Sequence, residues 1–403
     1  MQDQESGSLE RRDSAADPVR LVGVEFSSNL KDYVPIEPAI DPASNASLSN
    51  QIRAPRRFYP QLDGLRAVAV FFVLLNHMGD LNLPAPLAYM SSLGWIGVDA
   101  FFVLSGFLIT TILLTCRPEP RAFGLFVLRR TLRTWPLYFA VLLAAFATIR
   151  LDVAGTQINW LQHVFFLQNY SAQFVARSLG PTWSLCIEEH FYIVWPLFVF
   201  LLPRRVLVWV LPSIFVALPA LRFWGLHHAF TYKQLYTETQ FHLDGLTAGS
   251  FVALLVCWYS IRPRTILWTG YACLIAGIGT SLLGFWRSWN VLGGQNVVFG
   301  FTSLAVTFAG LLLFLLVGEK SVLGRIFSLG PVRYIGKISY GIYLLHDGII
   351  SLLGRLVKHG FWGAIAESWI FAIPLRIGIT ICIAALSYRF FESPILRIKD
   401  RLR

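Results

Sequence analysis

The first residues with chemistry in them lie eleven positions apart in one apolar stretch. In LDGLRAVAVFFVLLNHMGD, residues 62–80, Arg66 and His77 stand on a helical repeat. At about 100° per residue, eleven steps make three turns plus some 20°, so both side chains share one face, roughly 16 Å apart along the axis. A buried imidazole there has two readings. It takes a proton from a hydroxyl, its pKa lying nearest working pH of any side chain, or it is hydrogen-bonding glue between helices. Asn76 is its sequence neighbour, but adjacency turns it off that face. The stretch FVLRRTLRTWP puts Arg130 and Arg133 on one helical face, with Arg129 beside them. Clustered guanidiniums suit phosphate through forked, charge-assisted hydrogen bonds; topology determinants and lipid-headgroup contacts use the same residues. WSLCIEEHFY supplies Glu188 and Glu189. A carboxylate in the same half as His77 would orient an imidazole and steady its cation, or it would bond structurally to Trp or Tyr.

Other polar residues interrupt apolar runs: Asp99, Ser105 beside Gly106, Asp244, and His346 with Asp347. Ser105 reads as a nucleophile or, next to glycine, as a close-packing device. His227 and His228 lack supporting Cys or carboxylate spacing and read as solvated, so no metal is expected. There is no phosphate-binding Walker loop, dinucleotide glycine fingerprint or zincin pair, and no internal symmetry of the transporter kind.

The elements that must hold these residues follow from composition. Of 403 residues, 55% are hydrophobic and only 14% charged, against about 25% charged in a soluble domain. Too little charge remains to cover a soluble surface. The expected fold is all-α, a polytopic transmembrane bundle in the lipid bilayer. Five cysteines, an odd number and mostly in apolar runs, argue against a disulfide framework. Ten stretches approach the roughly 20 residues a span needs: 63–80, 94–115, 134–150, 183–202, 205–222, 243–260, 265–285, 294–317, 335–356 and 369–390. The segment 157–170 is apolar but too short to span and is expected to be an interfacial or re-entrant piece on the outer side.

Residues 1–55 hold nine acidic and five basic residues and no apolar core of a signal peptide; they read as a solvated, disordered tail. The rest carries the whole of the +11 net charge and more. Its connections alternate: sixteen Lys and Arg fall in one set of loops and the C-terminal stretch, and six in the other set, which includes Arg150, Arg177, Arg222, Lys233, Arg287 and Lys358. The positive-inside rule then puts both termini in the cytoplasm of a multi-pass inner or plasma-membrane protein. No contiguous basic face suggests nucleic acid.

Taken in series, YPQLDGLRAVAVFFVLLNHMG, GWIGVDAFFVLSGF, FVLRRTLRTWPLYF, PTWSLCIEEHFYIVWP, ISYGIYLLH and SYRFFESP resemble the acyltransferase 3 family of membrane proteins, over about residues 58–396. The resemblance implies an O-acyltransferase that moves an acyl group, commonly acetyl from acetyl-CoA, onto a hydroxyl of a carbohydrate or glycosylated acceptor. By that analogy His77, in the family's R-x10-H signature with Arg66, is the catalytic histidine, Arg66 supports it or the donor, and Arg130 and Arg133, with Arg129, face the phosphates of acyl-CoA. Glu188 takes the carboxylate position of the WSL-x-x-E pattern. Residues 56–396 form the acyltransferase domain and 397–403 a basic cytoplasmic tail. The family often has Arg two residues before the aspartate of the sixth span, where His242 precedes Asp244 here, so no substrate contact carries over to Asp244. With the sequence reaching Arg403 soon after the last span, transfer is expected within the membrane domain. The rival class is a transporter or flippase for a glycolipid or acylated product, its intramembrane Arg, His and Glu forming a path.

Overall fold

The structure, a computed structural model, describes residues 59–79, 81–116, 119–149, 159–171, 179–259, 261–286, 296–359 and 368–401. The expected tail at 1–55 lies outside them, as do Arg117, Arg150, Arg177, Arg287 and Arg403. Among the described residues every regular element is helical. In order these are α1 Pro60–Asn76, α2 Ala85–Ser92, α3 Ile96–Thr115, α4 Pro120–Ile149, α5 Trp160–Val164, α6 Thr182–Leu201, α7 Arg204–His227 and α8 Tyr232–Thr237. There follow α9 Asp244–Trp258, α10 Pro263–Trp286, α11 Asn296–Val317, α12 Val322–Phe327, α13 Gly330–Lys337, α14 Ser339–Lys358, α15 Trp369–Ser387 and α16 Ser393–Arg401, the last two joined through a π-helical turn at Tyr388–Glu392.

A helix stands at each of the ten expected positions, but six stretches are long and apolar enough to cross a membrane by length and composition. The four others differ for visible reasons. Helices α1 and α9 have 17 and 15 residues, about 25 and 22 Å of rise against a hydrocarbon core of about 30 Å. Helix α4 carries Arg121, Arg129, Arg130 and Arg133 in its first half, and α14 is diluted by Ser, Tyr, His and Asp. The piece around 157–170 does not span: α5 gives way at Phe166, whose φ is 55°, to a 3-10 turn at Gln168–Tyr170.

Two kinds of helix follow from burial. α1 begins with Pro60, pre-shaped for a first turn, has Asp63 among its free amides, and buries Leu62, Leu65, Ala69, Val70, Val73 and Leu74 on several sides. It is an interior helix. On α10, Trp268, Ile275 and Leu282 are exposed, an apolar exterior that suits lipid rather than water. The interior pair α3 and α9 is closed by glycine. A Cβ on Gly249 would run into the Val103 carbonyl and one on Gly106 into the Leu246 carbonyl, so backbones meet where a side chain would hold them apart.

The same region holds a polar knot. Arg222 of α7 is fully buried and donates to both oxygens of Asp244 at 2.6 and 3.0 Å, to the Val298 carbonyl of α11, to the Phe241 carbonyl and to Thr302. Nearby, His242 meets Asp99 of α3 at 3.1 Å, its ring stacked between Phe301 at 4.0 Å and Trp183 at 5.7 Å. Arg222 is therefore no loop charge, which corrects its place in the topology count and leaves five basic residues in that set of connections. The guanidinium that serves Asp244 comes from α7 rather than from position 242.

Breaking one half of such a pair strands a charge, at a cost of about 3–5 kcal/mol. Asp244→Asn and Arg222→Leu are each expected to lower the unfolding temperature in detergent strongly, and the double variant Arg222→Leu/Asp244→Leu to recover a large part of the loss. A double variant as unstable as the two singles combined would contradict the pairing.

Candidate active site

The site has two groups of side chains, one at each end of α1. The C-terminal group is built on His77, the residue at which α1 stops, its backbone turned to φ −90° and ψ 8°. The imidazole Nδ1 lies 2.9 Å from the Val73 carbonyl. A carbonyl only accepts, so Nδ1 carries a proton, and in the neutral ring Nε2 presents its lone pair. The ring of His346, from α14, packs edge-on at 4.4 Å between centroids and 78° between planes. His346 is fully buried, whereas His77 is only partly so. His346 Nδ1 bonds the Tyr343 carbonyl. The Tyr343 hydroxyl in turn donates to the Pro181 carbonyl at 2.9 Å and lies 2.6 Å from Ser184 Oγ, which ties α14 to the start of α6.

At the other end, Arg66 pairs with Asp63 one turn back, at 2.8 Å. Arg133 of α4 lies within electrostatic range of Arg66, Arg130 and Asp63. The Arg130 guanidinium sits over the Tyr192 ring at 5.5 Å and the Phe126 ring at 6.0 Å, and Arg129 beside it is buried. Three guanidiniums from two helices thus converge, which spacing in the sequence links only as a pair, Arg130 with Arg133. Glu392, in the π-helical turn, accepts from Ser387 at 3.2 Å and lies within range of Arg133.

Glu188 belongs to this second group, which corrects the expectation that it holds His77. One carboxylate oxygen accepts from Ser105 at 2.8 Å and the other from Tyr192 at 2.7 Å, with Arg130 and Arg133 in electrostatic range. Ser105 is accordingly a hydrogen-bond donor tying α3 to α6. Glu189, a third of a turn round the same helix, accepts from Thr134 at 2.9 Å and from Trp135 Nε1 at 3.2 Å. The two neighbouring carboxylates therefore clamp α6 to α3 and to α4 respectively. His227 and His228 are exposed, each bonded to a carbonyl of its own helix. Among the described residues no group of three or more His, Cys, Asp or Glu side chains could hold a metal ion.

A family model described as an acyltransferase domain, acyltransferase 3, matches residues 59–389. The chain belongs to this family. Its curated relatives include the peptidoglycan O-acetyltransferase OatA of Listeria monocytogenes, 31% identical over 375 residues, covering 85% of this chain and 56% of the relative. The O-acetyltransferase OatA of Staphylococcus aureus is 28% identical over 368 residues, 84% of this chain and 57% of the relative. A putative peptidoglycan O-acetyltransferase, YrhL, of Bacillus subtilis is 30% identical over 376 residues, 84% and 55%. The chain spans little more than half the length of these relatives. No solved structure matches it. Both ends of α1 and every partner named above except Glu392 lie inside the region matched to the acyltransferase 3 family.

The Glu189 clamp is testable by itself. Thr134→Val leaves a buried carboxylate short of a donor, and about 1–3 kcal/mol of stability should go with it; Glu189→Gln, which keeps shape and one acceptor, should cost less. Thermal unfolding of both variants in detergent checks this, and a Thr134→Val protein as stable as the parent would remove the clamp.

Proposed function

We propose that this protein is a multi-pass O-acyltransferase of a bacterial-type inner or plasma membrane, with both termini cytoplasmic, that moves an acyl group, acetyl by preference, from acyl-CoA to a hydroxyl of a cell-wall-type carbohydrate. The observation that carries this reading is α1, which holds a lone-pair-presenting imidazole at one end and joins a guanidinium cluster at the other, within a chain of the acyltransferase 3 family. The acceptor class is suggested by the names of the relatives in Listeria, Staphylococcus and Bacillus.

In this reading acyl-CoA is a large anion that stays on the cytoplasmic side. Arg130 and Arg133, with Arg129 and Arg66, hold its phosphates through charge-assisted bonds, while Glu188 and Asp63 keep the guanidiniums in place and prevent an unbalanced buried charge. The thioester end reaches along α1 towards His77. His77 Nε2 takes the proton of the acceptor hydroxyl, the hydroxyl oxygen attacks the thioester carbonyl, the carbon–sulfur bond breaks, and the proton passes to the departing thiolate. General-base help of this kind is worth about 10²–10⁴-fold.

Purified protein with acetyl-CoA and a panel of glycans should release CoA thiol and yield an O-acetyl ester. His77→Ala should lower that rate by about 10²–10⁴-fold, and Arg264→Ala, on the exposed start of α10, should not change it. Glycan movement across a vesicle membrane without thiol release would favour the flippase class instead.

Arg133→Ala should raise the apparent requirement for acetyl-CoA about ten- to a hundredfold, the loss of one charge-assisted bond, while acceptor dependence stays within about twofold. Initial rates with each substrate varied in turn decide it, and an unchanged donor dependence would remove Arg133 from the phosphates.

A further inference from the structure

Resting on His77 as the base, we propose that Trp183 and Tyr236 form the subsite for the acceptor: a pyranose ring stacks on this aromatic wall, and the Trp183 indole N–H and the Tyr236 hydroxyl bond its hydroxyls. The wall joins the His77 end of α1 by two routes. On one, His77 packs against His346 at 4.4 Å, His346 lies 5.9 Å from the Tyr343 ring, and Tyr343 is within electrostatic range of Tyr236. On the other, Gly94 sits so close to the end of α1 that a Cβ there would meet the Phe72 carbonyl and the Asn76 amide. The next residue, Trp95, packs edge-on to Tyr236 at 6.3 Å. Trp183 stands 4.7 Å from Tyr236 between ring centroids.

Two polar groups on this wall are left over. The Trp183 indole N–H and the Tyr236 hydroxyl make no hydrogen bond to any described residue, and neither atom is sealed from the surface. Both side chains are half-buried. Their neighbours Phe102, Phe301 and His242 are fully buried, and packing accounts for those. Packing alone would be served as well by phenylalanine at 183 and 236, since the polar ends of inward-facing Trp and Tyr ordinarily find partners. An interfacial aromatic belt does not account for the pair either. Belt rings sit at the lipid boundary, whereas Trp183 is stacked on the buried His242 ring at 22°. His242 braces both residues, because its Nδ1 donates to the Tyr236 carbonyl at 2.7 Å. A pyranose carries C–H bonds on its faces and hydroxyls round its edge. An aromatic surface with a few polar groups at its rim matches both.

The test uses the full chain in detergent with acetyl-CoA and a glycan panel that includes tetramers of glucose and of N-acetylglucosamine, reading thiol release with each substrate varied in turn. Tyr236→Phe removes a hydroxyl that bonds no described residue, so the unfolding temperature should not change. Acceptor KM should rise about three- to tenfold, the loss of one neutral hydrogen bond. Donor KM and kcat should stay within about twofold, as expected when binding alone is lost. Trp183→Leu should raise acceptor KM about tenfold, and Tyr232→Phe, exposed on α8, should change nothing. Should Trp183→Leu not fold, Trp183→Phe keeps a ring, loses the N–H and carries the same three- to tenfold expectation as Tyr236→Phe. An unchanged acceptor KM in Tyr236→Phe, or a donor KM raised as much as the acceptor KM, overturns the proposal. The failure of the underlying reading looks different: the unsubstituted protein would then show no glycan-dependent thiol release at all, and the subsite would fall with it.

Discussion

A charge or polar group inside an apolar bundle must find a partner that is also inside, and the packing of this protein is arranged around that requirement. The Arg222–Asp244 pair is the fullest case, since all the donors of one guanidinium that are named above go to groups on α9, α11 and the turn before α9. With the carbonyl of Val298 and the hydroxyl of Thr302 also engaged, the pair fixes α7 against α9 and α11, while His242 with Asp99 continues the connection into α3. Apolar surface alone has no preferred register in lipid, because lipid tails are as apolar as leucine. Directional bonds supply the register, and glycines at Gly106 and Gly249 let the backbones come close enough to use it.

That frame explains why the two ends of α1 carry different chemistry. One end meets α14, whose buried His346 packs its ring edge-on against His77. The other lies within electrostatic range of α4, whose first half carries Arg129, Arg130 and Arg133. Glu188 and Glu189, adjacent in sequence, serve opposite neighbours because a helix turns each successive residue by about 100°. Hydroxyl donors from Ser105, Thr134 and Tyr192 satisfy these carboxylates without adding charge.

Several departures from the sequence reading share one cause, which is that spacing along a chain reports a face and not what lies opposite it. Arg222 looked like a loop charge because it closes an apolar stretch, yet its side chain points inward. Glu188 looked like the partner of His77 because both were expected in one half of the membrane, yet depth does not bring two helices side by side. His346 was visible as a polar residue in the ninth stretch, and the ISYGIYLLH segment resembled a family motif, but nothing in either said which ring it would face. The short helices α1 and α9 were expected at full span length, because hydropathy does not distinguish an interior helix from one that meets lipid.

The amino-acid order by itself determined the all-helical class, the ten helix positions, the family, and the placing of Arg66 and His77 on one helix and of Arg130 and Arg133 on another. These are properties of composition and of periodicity within a single segment, which local sterics and hydrogen bonding set. Only the tertiary structure decided that Arg66 joins the arginines, that Glu188 serves them rather than the imidazole, that Arg222 closes on Asp244, and that His77 faces His346. Each of those is a contact between segments far apart in the chain, chosen by the packing of whole helices and by the need of every buried polar group to be paired.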